Sequence, residues 1–129
     1  MAYSKPNEIP TLLLSLEAQR RGYKIYYYET KDLTFSNNTV YALSKEIILN
    51  EDKKKFYSLR NLKLLNLSKA NFILMRQNPP FNMDYITATF LLEKVSKKTK
   101  IINNPFAVRN MPEKLYSIDF LQFMPPTVF

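Results

Sequence analysis

Apolar residues recur at helical spacing at Ile9, Leu12, Leu13 and Leu16, which predicts an amphipathic helix near the start of the chain. Asn7 or Thr11 can cap it, and Pro10 is tolerated in a first turn. Arg20 and Arg21 fall in its last turn, where cations suit the helix dipole, and Gly22 supplies a left-handed stop. The aromatic run that follows predicts a strand over Lys24–Tyr28. Three consecutive tyrosines could form a base-stacking platform. Alternation sends them to opposite faces, which favours a strand packed on both sides. Leu33-Thr34-Phe35 and Val40-Tyr41-Ala42 flank Asn37-Asn38, a pair that accepts the positive φ of a tight hairpin. Ser44–Leu49 extends this sheet. Over Lys53–Asn66 the apolar positions Phe56, Leu59, Leu62 and Leu65 predict a short helix or a covering loop.

Phe72–Met75 is a continuous apolar run, the pattern of a buried parallel strand, and Arg76 ends it. Pro79-Pro80 demands a loop. Asn82 then caps a helix running to about Ser96, with Ile86/Phe90 and Leu91/Val95 as apolar pairs. Lys100–Asn103 reads as a short strand and Asn104-Pro105 as a turn. Pro112-Glu113 opens a further helix carrying Leu115 and Ile118, and Pro125–Phe129 reads as the start of another strand. This alternation predicts an α/β fold with a mainly parallel sheet flanked by helices. Ligands of such sheets gather at the C-terminal strand ends, here the loops after Tyr28, Met75 and Ile102.

Composition narrows the chemistry. The 129 residues suit one domain, residues 1–129, with a core of its own. With no cysteine and no histidine, the chain has no disulfide, no thiol nucleophile, no thiolate or imidazole metal site and no His-dependent triad. A single glycine excludes glycine-rich phosphate loops. No segment reads as a leader or a membrane span, which predicts a cytoplasmic protein. The net charge of +8 raises a nucleic-acid reading. The lysines cluster at predicted helix ends and loops, as Lys53-Lys54-Lys55, Lys97-Lys98 and Lys100 do, and this favours a solvated surface over nucleic acid.

Three blocks carry a resemblance. Leu16-Glu17-Ala18-Gln19-Arg20-Arg21-Gly22-Tyr23 looks like the first helix of bacterial glutathione synthetases. Ile73-Leu74-Met75-Arg76-Gln77-Asn78-Pro79-Pro80-Phe81, with Tyr85-Ile86-Thr87-Ala88-Thr89 and Leu92-Glu93, resembles that family's Met-Arg-x-x-Pro-Pro-Phe segment and its helix. Asn103-Asn104-Pro105, then Arg109 and Glu113-Lys114-Leu115, resembles its Asn-x-Pro…Arg…Glu-Lys-Leu segment. The order and spacing of the blocks cover about Leu12 to Phe129.

The resemblance implies a Rossmann-like pre-ATP-grasp domain. The family joins glycine to γ-glutamylcysteine with ATP and magnesium through an acyl phosphate, in a following ATP-grasp domain. This chain resembles only the substrate-side, N-terminal domain. Alone it is expected to be inactive and to bind neither ATP nor magnesium tightly. Its expected partner is an ATP-grasp half on a separate subunit, or a second copy of itself. The alternative is a non-catalytic interaction module that keeps the fold. The family's first buried strand and its Met-Asp-Pro loop have no counterpart before Leu12, so the strands at Lys24–Tyr28 and Phe72–Met75 are expected to face a gap. Its filling could come from re-pairing, from a partner's strand or from an ATP-grasp subunit.

Three residues are candidates for site roles. Lys114 matches the family's lysine that contacts ATP phosphates, against the alternative of a solvated helix lysine. Arg76 ends a buried strand and could hold a substrate carboxylate, against the alternative of pairing a local acid such as Asp84. Asn103 could bind substrate or cap its turn. Pro79 and Pro80 shape their loop. Pro112 stands where the family usually has Asn.

Overall fold

The structure, a computed structural model, describes residues 9–50, 56–112 and 115–128. Helix α1 spans Ile9–Arg20. It ends as the sequence predicts. Gly22 has φ +84°, its N–H donates to Gln19 O at 2.9 Å, and the Tyr23 N–H reaches back to Ala18 O at 3.1 Å. These two bonds make a Schellman cap. The buried face differs from the expected stripe. Leu12, Thr11 and Ser15 are buried, whereas Leu13 is 54% exposed. At 100° per residue Leu12 and Leu16 share a face that Leu13 leaves.

Strand β1 is Ile25–Tyr27, followed by a 3-10 turn at Thr30–Asp32. Strands β2, Leu33–Ser36, and β3, Thr39–Leu49, form the expected hairpin. Asn37 and Asn38 have φ of 48° and 55°, the two left-handed residues of a type I′ turn between Ser36 and Thr39. Both β1 and β2 pair antiparallel with β3.

The segment expected as helix or loop is instead strand β4, Tyr57–Asn66, antiparallel to β3. Its i, i+3 leucines imitate a helical stripe, yet Leu59, Leu62 and Leu64 are exposed. The long-range backbone ladder to β3 decides the outcome, not a buried side-chain face. The ladder shifts register between Lys45 and Ile47. Burial along β3 changes parity there too, from Val40, Ala42 and Ser44 to Ile47 and Leu49, so one strand serves two clusters.

Strand β5 is Phe72–Leu74, helix α2 is Met83–Val95 and strand β6 is Lys100–Ile102. β5 and β6 pair in parallel, with Ile73 opposite Ile101, and α2 is their crossover. Asn82 caps α2, accepting from the Tyr85 N–H at 3.0 Å. The helix buries Ala88, Thr89, Leu92 and Val95, so Val95 meets its expectation while Phe90 lies outside. The mixed α/β class is the one expected, but the balance within it is not. Among the described residues parallel pairing is confined to β5 and β6, and the four-stranded sheet is antiparallel. The β2–β3–β4 meander needs only short connections, which suit antiparallel pairing.

Beyond β6 the expected turn at Asn104-Pro105 opens helix α3, Pro105–Asn110. Asn104 accepts from the Ala107 N–H at 3.1 Å and Pro105 takes the first turn, a cap and N1 proline that the sequence displays. The helix expected from Pro112 corresponds to a 3-10 segment at Tyr116–Phe123, broken at Phe120; Glu113 and Lys114 lie outside the described residues. Residues 125–128 form no strand.

Two cores result. One joins Tyr28, Val40, Ala42, Leu67, Ile73, Met75, Leu92 and Val95; the other joins Leu12, Ile47 and Leu49 with Leu16, Ile25 and Leu74 against them. The expected strand is shorter than Lys24–Tyr28: Tyr28 lies one residue beyond β1 yet is buried, and burial pushes its phenol well above the ordinary tyrosine range. No helix among the described residues is long and apolar enough to cross a membrane.

Candidate functional site

Parallel pairing brings the ends of β5 and β6 side by side. The Met75 N–H donates to Ile102 O, carrying the ladder one residue past β5. Arg76 follows on one strand and Asn103 on the other. The Asn103 side-chain amide donates to Met75 O at 3.4 Å, so it reaches the carbonyl just before Arg76. The sequence-predicted pair therefore shares one rim. The Ile102–Asn103 and Pro79–Pro80 peptides flanking this rim are cis.

Arg76 does not take the expected alternative. No described ion pair joins it to Asp84; its Nε donates to Thr11 Oγ1 at 2.8 Å. Thr11 is 1% exposed, and Ser15 Oγ donates to its carbonyl at 2.8 Å. A buried hydroxyl on the first turn of α1 thus tethers the guanidinium stem. Arg76 itself is exposed, and its terminal nitrogens lie beyond the Nε that the tether uses. Turn capping, the alternative for Asn103, belongs to its neighbour Asn104. Lys114 lies outside the described residues.

The remaining loop contacts hold this rim in place. Gln77 Nε2 donates to Tyr85 O at 3.1 Å, and the Phe81 and Tyr85 rings lie 4.9 Å apart. They tie the double-proline loop to the start of α2. Arg109 fixes α3 on α2: it donates to Thr89 Oγ1 at 3.2 Å and Glu93 Oε2 at 2.8 Å, with its guanidinium 3.9 Å from the Phe90 ring centroid. Phe90, on the face of α2 away from Ala88, Leu92 and Val95, is thus stacked on Arg109 outside the core. Gln19 clamps the end of β3 to α1 by donating to Leu49 O and accepting from the Leu49 N–H, both at 2.8 Å.

The third expected loop, after Tyr28, belongs to the antiparallel sheet. It carries Glu29, which accepts from Lys31 Nζ at 2.7 Å and from the Tyr27 hydroxyl at 3.0 Å. The Lys31 bond chiefly holds the Glu29 carboxyl below its usual range, with help from Tyr27.

Sequence reasoning missed Thr11 as an anchor. Its one signal was a hydroxyl residue beside Leu12 and four positions before Ser15, which placed it on the inward face. Among the described residues no three His, Cys, Asp or Glu side chains gather to hold a metal ion, and the glycine is spent on the α1 cap.

A family model for the N-terminal domain of prokaryotic glutathione synthetase matches residues 4–109. The chain therefore belongs to that family. It is similar to glutathione synthetases of Mesorhizobium japonicum, 41% identical over 115 residues, and Agrobacterium fabrum, 40% identical over 118 residues. These alignments cover 89% and 92% of this chain and 37% of each relative. The glutathione synthetase of Buchnera aphidicola is 43% identical over 115 residues, which cover 88% of this chain and 36% of that protein. The chain thus spans little more than a third of the length of these curated relatives.

Proposed function

We propose that this chain is the N-terminal, substrate-side domain or split subunit of a glutathione synthetase, the ATP-dependent ligase that joins glycine to γ-glutamylcysteine. The observation that carries the reading is the family match over residues 4–109, together with a paired-strand rim presenting Arg76 and Asn103. In this reading Arg76 holds a γ-glutamylcysteine carboxylate, which its planar fork suits, and Asn103 orients the same substrate. Lys114 contributes positive charge to ATP phosphates at the domain boundary. In the same reading ATP and magnesium are held by the portion of the relatives that this chain does not cover. The chain works in the cytoplasm beside an ATP-grasp partner, and binds no nucleic acid.

Exposed apolar side chains support such docking. Leu115, Leu121 and Phe123 are 55%, 52% and 80% exposed along the 3-10 segment. Exposed large apolar side chains of this kind are what a docking surface presents. The same surface serves the second reading, an interaction module that binds an ATP-grasp partner without sharing its chemistry.

A complementation assay separates the two. The portion of the Agrobacterium fabrum relative outside its match to this chain is expressed separately and mixed with it. ATP, magnesium, γ-glutamylcysteine and glycine are supplied, and phosphate is measured. Glycine-dependent release at least about tenfold above the sum of the parts is expected, equivalent to about 1.4 kcal/mol of barrier. A mixture no faster than that sum overturns the ligase reading.

A further inference from the structure

Lysines that stand far apart in the sequence meet at one end of the molecule. The parallel strands begin at Phe72 and Lys100, which face each other, and run towards the Arg76 rim; α2 carries the chain back to their beginning. There the Thr99 hydroxyl donates to Leu67 O at 2.9 Å. This bond holds the turn after α2 against the 3-10 turn Leu67–Lys69. Lys69 comes from one turn, Lys97 and Lys98 from the other, and Lys100 opens β6. Lys94 stands in the last turn of α2. Lys24 joins them because its neighbour Tyr23 meets the Phe72 ring edge-on at 5.5 Å.

All six are exposed, and no described ion pair engages any of them. Glu93, beside Lys94, is turned to Arg109 at 2.8 Å. Elsewhere the described charges nearly cancel, eight cations against seven carboxylates, so the excess positive charge sits at this pole. The dipole of α2 suits the lysines at its C-terminus, but it does not account for Lys24, Lys69 and Lys100. Like charges gathered this way destabilise the free chain by self-repulsion, which a surface of opposite sign relieves. We propose that this pole is a docking surface for an acidic segment of another protein, held by several lysine–carboxylate pairs at the end of the parallel strands opposite the Arg76 rim.

The chemistry favours this occupant. The cluster is all lysine, whose ammonium is a compact point charge that meets a carboxylate without a fixed geometry. Nucleic-acid readers draw on arginine forks and free aromatic platforms, whereas the two rings at this pole, Tyr23 and Phe72, pack on each other. Ser96 and the buried Thr99 stand between the lysines, where a lipid surface would require apolar side chains to enter it. A second copy, with a net charge of +8, brings the wrong sign. Docking here leaves the Arg76 rim open, so the assignment goes beyond the ligase reading and does not rest on it.

Fluorescence anisotropy on the intact chain tests it, with a labelled octapeptide of alternating glutamate and serine. Its glutamine-for-glutamate counterpart, a labelled octauridylate and phosphatidylserine vesicles are compared at equal ionic strength. The glutamate peptide is expected to bind at least about tenfold tighter than the glutamine peptide, through several exposed pairs acting together. Its affinity is expected to fall as salt rises. The K98E/K100E variant, checked for an unchanged thermal melt, is expected to weaken binding at least about tenfold. K45E/R60E makes the same change in net charge on the antiparallel sheet. It is expected to weaken binding less than about threefold, because charges beyond a Debye length are largely screened. On the unsubstituted chain the amide signals of Lys69 and residues 96–100 shift with the peptide, and those of Arg76 and Asn103 do not. Absence of binding, equal weakening by the two variants, or shifts centred away from these lysines each overturns the proposal. So does tighter binding of the octauridylate or the vesicles, which would make nucleic acid or a membrane the occupant.

Discussion

Leu92→Ala is expected to lower the stability of the chain by about 3 kcal/mol, within the roughly 2–5 kcal/mol of buried Leu→Ala changes. Leu92 is 2% exposed and sits on α2 within the larger core. Its neighbours there come from both sheets: Val40 and Ala42 from the antiparallel one, Ile73 from the parallel pair. Truncation leaves a cavity between elements whose backbones are fixed by separate ladders, so collapse around it is limited. Urea unfolding checks this, through a lower midpoint with an unchanged slope. Leu62→Ala on β4 is the control. Leu62 is 58% exposed, and its loss is expected to stay within about 0.5 kcal/mol. Equal effects at the two positions would contradict the division of core and surface described above.

Arg76→Ala, measured in the complemented ligase, is expected to raise KM for γ-glutamylcysteine by about 10–100-fold while changing kcat less. That range corresponds to losing one charge-assisted hydrogen-bonded contact, about 1.5–3 kcal/mol. Arg76→Lys keeps the charge but loses the planar fork, so it is expected to recover only part of the affinity. Thr11→Val isolates the tether. It removes the hydroxyl that receives Arg76 Nε while leaving the guanidinium in place. If Arg76 serves only to tie β5 to α1, Arg76→Ala and Thr11→Val will lower thermal stability alike and leave KM unchanged. A KM effect confined to Arg76 supports substrate contact. Asn103→Ala provides a second reading of the same rim, because its amide spans to Met75 O.

Local signals were the legible part of this fold. Gly22 stops α1, the Asn37-Asn38 pair turns the hairpin and Asn82 caps α2, each through chemistry contained within a few residues. β4 escaped because its leucines fall at a spacing that helices also use, while the pairing with the preceding β3 that decides it is not written in its own residues. The same cause disguised the balance of the sheet: three of its antiparallel neighbours meet only through β3. α3 was legible and misread, since Asn104-Pro105 is as good a helix start as a turn. Arg76 and Asn103 were singled out as candidates from their places at strand ends, and the parallel ladder does bring them side by side. Thr11 stayed hidden because a threonine near a helix start ordinarily signals a cap. Here it faces inward and holds an arginine that lies 65 residues later in the chain.

The most direct test of the whole account is turnover by the isolated chain, supplied with ATP, magnesium, γ-glutamylcysteine and glycine at saturating levels. In the proposed function the chain is a substrate-side scaffold without the groups that activate a carboxylate. Phosphate release is therefore expected at the rate of a protein-free blank. Sustained release that depends on both γ-glutamylcysteine and glycine would contradict it, because the chain itself would then supply the carboxylate activation that the proposed function assigns to a separate ATP-grasp portion.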